Sequence, residues 1–452
     1  MSDVQIRIRR AAPLRARTAA AVIAVTVTAT ACTVSTSQEY KIPQAHPAPP
    51  PGAAAREAGE VWTAGLNGDG QLGRAPGKPM DAALAPAAGA GGRGRLRAVA
   101  VAAGGRHSLA LVSGGRVAAW GANDKGQLGD GTRIGRSEPV AVRAPGGSGL
   151  PLTGAVAIAA DTDFSMALLR NGSVVTWGAG TVGQRGIGRT GRTGEPPDPT
   201  VVLRPDGRGP LTRVSAIAAD GNTALALLKD GTVVGWGSND FGMVGDGSSV
   251  DRALPRAVRG PEGEQRLAGV TQIATGGQHG LARLRDGTAV SWGRNDYGQL
   301  GDGTLTNRLE PVRVSGPHGL PVLRDIVTIT AGEQHNFALR GDGGVVAWGN
   351  NTAGQLGDGT TNSSPRPVQV VGVQSPRLRG VVRIVAGEAY GVATLTDGSV
   401  LTWGSGSKGQ LGSGAKAPRT KPGTVVLAGG RPAGRVLDVG AGRRHLALLM
   451  RW

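Results

Sequence analysis

The chain is 452 residues long, carries a net charge of +18, and holds 78 glycines, 28 prolines and one cysteine. A single cysteine excludes an intrachain disulfide framework, so packing must hold the fold. The positive balance attracts acidic partners in general, but the basic residues are spread through the chain, mostly as single arginines in connecting segments, the pattern of a solvated surface.

The amino terminus reads as an export address. Arg7, Arg9, Arg10, Arg15 and Arg17 precede an uncharged, apolar-rich run from Thr18 to Ala31, the layout of a secretory signal over residues 1–31. That run is shorter than the about 20 apolar residues a spanning helix needs. Ala29, Thr30 and Ala31 lead into Cys32, which resembles a bacterial lipoprotein cleavage site, although Ala29 stands where that pattern has Leu. Cys32 is the expected lipidated first residue of a mature chain. The alternatives are an ordinary cleaved signal, or an uncleaved anchor running on through Thr33 to Gln38. Residues 32–59 contain Pro43, Pro47, Pro49, Pro50 and Pro51 among Ala and Gly. They are expected to form an unfolded, semi-stiff stalk reaching about 80 Å at most.

From Glu60 to Trp452 one pattern recurs seven times. It runs through a small-residue strand, a His-x-Leu-Ala-Leu-like strand, an Asp-Gly turn, a Val-x-x-Trp-Gly strand and a Gly-Gln-Leu-Gly-Asp-Gly stretch. Trp120, Trp177, Trp236, Trp292, Trp348 and Trp403 follow one another at 57, 59, 56, 56 and 55 residues, and such a period fixes a repeat architecture. Within a unit, apolar runs flank Asp230-Gly231, a strong signal for a two-residue hairpin. Asn171-Gly172, Asp286-Gly287, Asp342-Gly343 and Asp397-Gly398 fill the same slot. Upstream stand Ile217-Ala218-Ala219 and its equivalents, and further upstream Pro-led runs such as Pro311-Val312-Arg313-Val314, giving four short strands per unit.

Four strands repeated seven times cannot form one flat sheet, whereas seven small sheets packed radially bury both faces. The prediction is an all-β, seven-bladed propeller with four-stranded blades over residues 60–452. The last unit stops after Val436 to Gly442 and His445 to Met450, lacking its Trp-Gly strand, and the first begins with that strand, Glu60 to Gly65. The amino-terminal strand is therefore expected to join the carboxy-terminal strands and close the ring. Two units are irregular. Ala64 takes the Trp slot of the first, with Trp62 two residues earlier on the same strand face, and Gln184-Arg185-Gly186-Ile187 replaces the turn core of another.

The repeats resemble regulator of chromosome condensation repeats. The signature of Trp-Gly, Gly-Gln-Leu-Gly and Ala-Gly-x-x-His-x-Leu-Ala-Leu is matched by Ala103 to Leu111 and Ala331 to Leu339. The family's namesake is a nuclear guanine-nucleotide exchange factor that also docks on chromatin and carries a protruding wedge. No unit here is enlarged enough for an added hairpin, and the export signal argues against such a partner. Secreted relatives with this kind of propeller include β-lactamase inhibitors, which bind through loops at one end of the ring.

The repeat serves as an internal control on apparent chemistry. Gly68 to Gly73, Gly178 to Gly183 and Gly404 to Gly409 fit the dinucleotide glycine pattern, but none opens a helix after a strand. Asn239-Asp240 and Asn295-Asp296 with later Gly-Asp-Gly lack the spacing and terminal Glu of a calcium loop, and turn capping accounts for them. His107, His279, His335 and His445 share one slot that Phe164, Thr223 and Tyr390 fill elsewhere. A catalytic or metal role does not call for four copies, so these histidines and the six tryptophans are read as structural. Arg185, Arg189 and Arg192 form a candidate contact loop. No nucleophile, base and orienting group stand apart from the repeat, so no enzyme and no cofactor are expected; an acidic or histidine cluster at one end of the ring would favour a hydrolase or lyase. The leading expectation is a monomeric, non-catalytic scaffold on the extracytoplasmic face of a membrane, or secreted. It would bind a protein or an acidic envelope polymer through its loops, with nucleic acid not an expected partner. The alternatives are an intracellular exchange-factor-like or chromatin-type regulator, and a secreted enzyme inhibitor.

Overall fold

The computed structural model describes residues 57–74, 79–190, 197–429 and 434–452. The readings made for residues 1–31, Cys32, most of 32–59 and Arg192 lie outside these residues.

Seven antiparallel sheets surround a central channel; six are blades of four consecutive strands, and the seventh joins the first two strands of the chain to the last two, with one added short strand. The innermost strands of blades 1 to 7 are Ala100–Ala103, Ala155–Ala160, Val214–Asp220, Val270–Gly276, Ile326–Ala331, Val381–Ala386 and Arg435–Ala441. Their small and β-branched side chains suit the crowded centre, where adjacent innermost strands approach one another. In blade 3 the chain continues outward through Thr223–Leu228, Val233–Gly237 and Arg252–Ala257. The up-and-down order gives the ring two unlike ends. The turns after the innermost strands and the Gly-Gln-Leu-Gly segments lie at one, here termed the turn face. The Asp-Gly hairpins and the connections between blades lie at the other, the hairpin face.

Blade 7 closes the ring as the chain ends require. Gly59–Leu66 pairs with His445–Arg451, placing Trp62 opposite Leu448 and Ala64 opposite Leu446. Met80–Pro86 forms the outer edge, and the short strand Arg97–Ala98 pairs with Gly59 and Glu60. One boundary differs from the sequence reading. The Pro-led runs do not open a unit; they complete the blade before. Val312 and Arg313 pair with Ser291 and Val290 of the preceding Trp-Gly strand. Proline donates no backbone hydrogen bond, so it suits the outer edge, where no further strand follows.

The apolar core is divided among the junctions between blades. One cluster joins Phe337 and Leu339 of blade 5 to Val381, Ile384 and Trp403 of blade 6; another joins Leu281 and Ala289 of blade 4 to Ile326 and Trp348 of blade 5. The six repeat tryptophans are fully buried at these joints. Each indole N–H donates to a backbone carbonyl in the turn of the preceding blade. Trp120 reaches Gln71 at 2.9 Å, Trp177 reaches Gln127 at 2.9 Å and Trp236 reaches Gln184 at 2.9 Å. Trp292 reaches Met243 at 2.8 Å, and Trp348 and Trp403 reach Gln299 and Gln355 at 3.0 Å. A buried indole N–H needs such an acceptor. The glycine two residues after the acceptor lets the ring approach. A Cβ on Gly301 would lie 2.7 Å from Trp348 Nε1.

Gly301→Ala and Gly412→Ala separate this contact from backbone strain. Both glycines have positive φ, +66° and +58°, but Gly412 faces no tryptophan, its nearest neighbour being Leu84 Cγ at 3.4 Å. Positive φ alone costs a non-glycine residue about 1–2 kcal/mol, and overpacking adds about 1–3 kcal/mol. Calorimetry should therefore show Gly301→Ala melting below Gly412→Ala. Equal losses would remove the indole contact as the reason for that glycine.

Candidate functional site

The repeat histidines sit at the same joints as the tryptophans. His445 Nε2 lies 2.8 Å from the Ser108 hydroxyl of blade 1, and Ser108 donates to Gln71 O, which Trp120 also reaches. Blade 1 repeats the arrangement toward blade 2 through His107, Ser165 and Gln127 O. Blade 4 repeats it toward blade 5 through His279, Asn336 and Gln299 O. Because serine gives its one proton to the carbonyl, and Asn336 presents Oδ1, each of these histidines donates from Nε2. Where the following blade offers Ala224 or Gly280 instead, the slot holds Phe164 or Thr223. His335 is the exception: it faces Gly391, neither ring nitrogen has a hydrogen-bond partner among the described residues, and it packs against the Phe337 edge at 5.1 Å. Burial pushes all four imidazoles down, His107 and His335 to about 3, His279 and His445 to about 4. These rings are neutral joints, and their burial leaves no access for a substrate.

An acidic cluster does stand at one end of the channel. The turns after the innermost strands bring Asp161, Asp220, Glu333 and Glu388 together with Arg443 around a cavity of about 150 Å³. Backbone bonds link these turns from blade to blade: Gly277 N–H to Glu333 O, Glu333 N–H to Glu388 O, and Arg443 N–H to Gly104 O. Between blades 2 and 3 a side chain takes over, and the Asp161 carboxylate accepts the N–H groups of Gly221 and Asn222 at 3.0 and 2.7 Å. The Arg443 guanidinium lies 3.4 Å from Glu333. Burial, with Glu333 as neighbour, pushes Glu388 up to about 7. Burial and the charge of Asp161 raise Asp220 well above the carboxylate range. Chemically the cluster can hold and release protons near neutrality. The sequence shows the pairs but not their convergence: Asp161 and Asp220 share one turn slot in blades 2 and 3, Glu333 and Glu388 the next slot in blades 5 and 6, and the ring brings the four together.

Arg185 of the candidate contact loop is buried. It fills the slot of the turn leucine, and its guanidinium donates to Asp198 O and Thr200 Oγ1, both at 3.1 Å. That arginine therefore ties the loop to its own blade and is not available to a partner. Arg189 is exposed. The turn asparagines act as caps: Asn239 Oδ1 accepts Val244 N–H at 2.8 Å and Asn295 Oδ1 accepts Leu300 N–H at 2.9 Å. Among the described residues, no group of His, Cys, Asp and Glu side chains is arranged to hold a metal ion.

A closed ring of seven blades, joined at six junctions by a tryptophan that reaches a turn carbonyl (glutamine at five, Met243 at one), defines a propeller of the chromosome-condensation-regulator type. The chain belongs to the RCC1-like family. The model described as the RCC1-like domain matches residues 52–323, and models of the regulator of chromosome condensation (RCC1) repeat match 326–355, 342–394 and 397–449. The ultraviolet-B receptor UVR8 of Arabidopsis thaliana is 31% identical over 371 residues, 71% of this chain and 80% of that protein. Human E3 ubiquitin-protein ligase HERC2 is 34% identical over 305 residues, 67% of this chain but 6% of that protein. The fold is shared with human WBSCR16 at a TM-score of 0.70 and 22% identity, covering 87% of this chain and 100% of that one. It is also shared with Prp20p of Saccharomyces cerevisiae at 0.68 and 22%, covering 88% and 93%.

The buried histidines set the acid limit of the fold. Their folded values lie below the unfolded 6.5, so the stability they lend is complete above pH 6.5 and drains away toward pH 4 to 3. At pH 5 this loss is about 2 kcal/mol per histidine. Protonation would also place a proton on Nδ1, which has no partner among the described residues in any of the four rings. Asp220 and Glu388 act oppositely, favouring the fold at low pH and losing that contribution as pH rises, for Glu388 from 4.5 through about 7. His335→Phe removes one acid-sensitive ring without breaking a hydrogen bond and should flatten the acid side of a plot of melting temperature against pH. An unchanged acid limb would show that His335 does not titrate with unfolding.

Proposed function

We propose that the chain is a non-catalytic protein-binding propeller that works outside the cytoplasm. Lipid on Cys32 holds it to a membrane, and the Pro- and Ala-rich segment raises the ring above the surface. The observation that carries the binding role is the division of labour within each repeat. The recurring polar groups (indole, imidazole, turn amide) are engaged in holding blades together, and the residues that differ from blade to blade are the exposed connections, where recognition belongs. Solved relatives support a protein partner: Prp20p is described with binding properties to Gsp1p and histones, and a second structure shows yeast RCC1 bound to Kap60. The export address rests on Arg7 to Arg17, the run from Thr18 to Ala31 and Cys32.

A hydrolase is the second reading, favoured by the carboxylates around Arg443. Its cavity of about 150 Å³ is smaller than the roughly 300–1,000 Å³ of ordinary ligand pockets, and two of its carboxylates are already engaged, Asp161 by Gly221 and Asn222 and Glu333 by Arg443. The binding scaffold accounts for more of the molecule.

Fractionation of cells producing wild type and Cys32→Ala, with the mass of the mature amino terminus, tests the location. Wild type should be membrane-bound and begin at a lipidated Cys32, and the variant should be released or unprocessed. Two soluble, full-length, cytosolic forms would overturn the export reading and move an exchange-factor-like role to the front.

A further inference from the structure

The chain enters the propeller at one particular end of the ring. Gly59–Leu66 pairs antiparallel with His445–Arg451, Glu60 opposite Met450 and Gly65 opposite His445, and so runs from the hairpin face to the turn face. Glu57 and the segment before it are therefore joined to the hairpin face. There Glu57 contacts Arg451 and lies 3.9 Å from Arg435, and Trp452 ends the chain beside them.

This face combines two kinds of exposed side chain. Arg170, Arg213, Lys229, Arg285, Arg324 and Arg379 stand at the ends of the inner strands of blades 2 to 6, all exposed. Among the described residues none of the six has a carboxylate within ion-pair distance. Carboxylates such as Asp325 and Asp342 are interspersed, but those of three hairpins are tied into their own turns: Asp230 accepts Thr232 N–H at 3.0 Å, Asp286 accepts Thr288 N–H at 2.9 Å and Asp397 accepts Ser399 N–H at 2.8 Å. Between the basic residues stand apolar tips. Leu150 and Leu320 lie at the ends of connections between blades, their carbonyls accepting Ala144 N–H at 2.7 Å and Gly316 N–H at 2.8 Å. Val373 lies in a third connection, and these three residues and Trp452 are each more than half exposed.

The turn face has apolar tips as well, Ile134, Val250 and Leu305, but not the free charge. In the same three loops the arginine is answered, Arg136 by Asp130 at 3.3 Å, Arg252 by Asp246 at 2.6 Å and Arg308 by Asp302 at 3.1 Å. The channel end there is lined by Asp161, Asp220, Glu333 and Glu388. An anionic surface is drawn to the hairpin end of the ring and not to the other.

The geometry points to the hairpin face as a docking surface for an anionic lipid bilayer. Lipid phosphates would meet the arginines and the lysine, while Leu150, Leu320, Val373 and Trp452 would enter the boundary between headgroups and acyl chains, where tryptophan and aliphatic side chains settle. A soluble polyanion would meet the charges but has no apolar layer to receive those tips. This rests on the export reading and extends it. The segment before Glu57 lets the ring stand off the membrane or settle on it, and a settled ring turns its other face to the protein partner. Tethering at this end keeps the face close to the bilayer, so weak contacts are enough to hold it.

The test uses the full chain made without lipid, as Cys32→Ala, and vesicles of phosphatidylcholine with or without phosphatidylglycerol, brominated along the acyl chains to quench tryptophan. Seven of the eight tryptophans are buried and Trp452 is exposed. Residues 1–56 contain none, so lipid contact by that segment is silent. Anionic vesicles should quench the emission, less so as salt rises, and neutral vesicles should not; Trp452→Phe should remove most of the quenching. Arg213→Glu, Lys229→Glu and Arg285→Glu together should weaken vesicle binding about tenfold or more. Leu150→Asp with Leu320→Asp should weaken it too, whereas Ile134→Asp with Leu305→Asp on the turn face should not. Binding by the charge-reversed variant like that of wild type overturns the proposal, as does an equal loss from the turn-face pair. So does binding that inorganic polyphosphate or duplex DNA displaces completely and the Leu150 and Leu320 changes leave untouched, the mark of a polyanion site. If wild type is held to cell membranes through a lipidated Cys32 but vesicles leave Trp452 unquenched, the docking face fails while the export reading stands. Quenching of Trp452 by anionic vesicles with an unprocessed, cytosolic chain in cells does the reverse.

Discussion

One indole N–H donated across a blade junction sets most of what this chain can be. The acceptor is a backbone carbonyl in a turn, so the tryptophan dictates the turn's shape. The turn then needs a glycine beneath the indole and an asparagine to cap it. Asn295, Gln299, Gly301 and Trp348 are thus parts of a single contact, spread over two blades and more than fifty residues of sequence. Because the core is divided among such junctions, the ring has no single centre of stability. It holds only if each joint holds and the chain ends meet in blade 7.

The architecture was legible in the sequence for the same reason. A contact repeated at six of the seven junctions prints its residues at nearly every period, so the tryptophans, the glycine turns, the hairpins and the split seventh blade can all be read from spacing. Membership of the outer strand was not legible. A Pro-led run can open one unit or close another with the same spacing, and only the pairing of Arg313 with Val290 decides. The histidine relays lie between these cases. Their partners Ser108, Ser165 and Asn336 follow the same slot one blade later, and the alternation of Ser or Asn with Ala or Gly is visible once the blades are known to be neighbours. Arg185 could pass for a surface residue because arginine normally is one; its burial follows from standing where other turns place leucine.

Features that bear on function were less legible because they do not repeat. The carboxylates near Arg443 come from turns of four blades, in two slots that each recur in only two of the seven. A propeller collects such scattered side chains at its two ends, so unlike surfaces can be built on one rigid frame. Here the turn face joins paired arginines such as Arg252 and Arg308 to carboxyls held above their usual range, and the hairpin face carries exposed basic residues such as Arg213 and Lys229. The frame need not move for either to act.

The central claim is that the ring is held by equivalent joints and opens as a whole. Hydrogen exchange of the indole N–H groups, followed by NMR, measures this at the contact itself. The account predicts that the six repeat tryptophans exchange slowly and at a common rate set by global opening, while exposed Trp452 exchanges fast. Six widely spread rates, with some indoles exchanging far ahead of the others, would show blades opening independently and would contradict it.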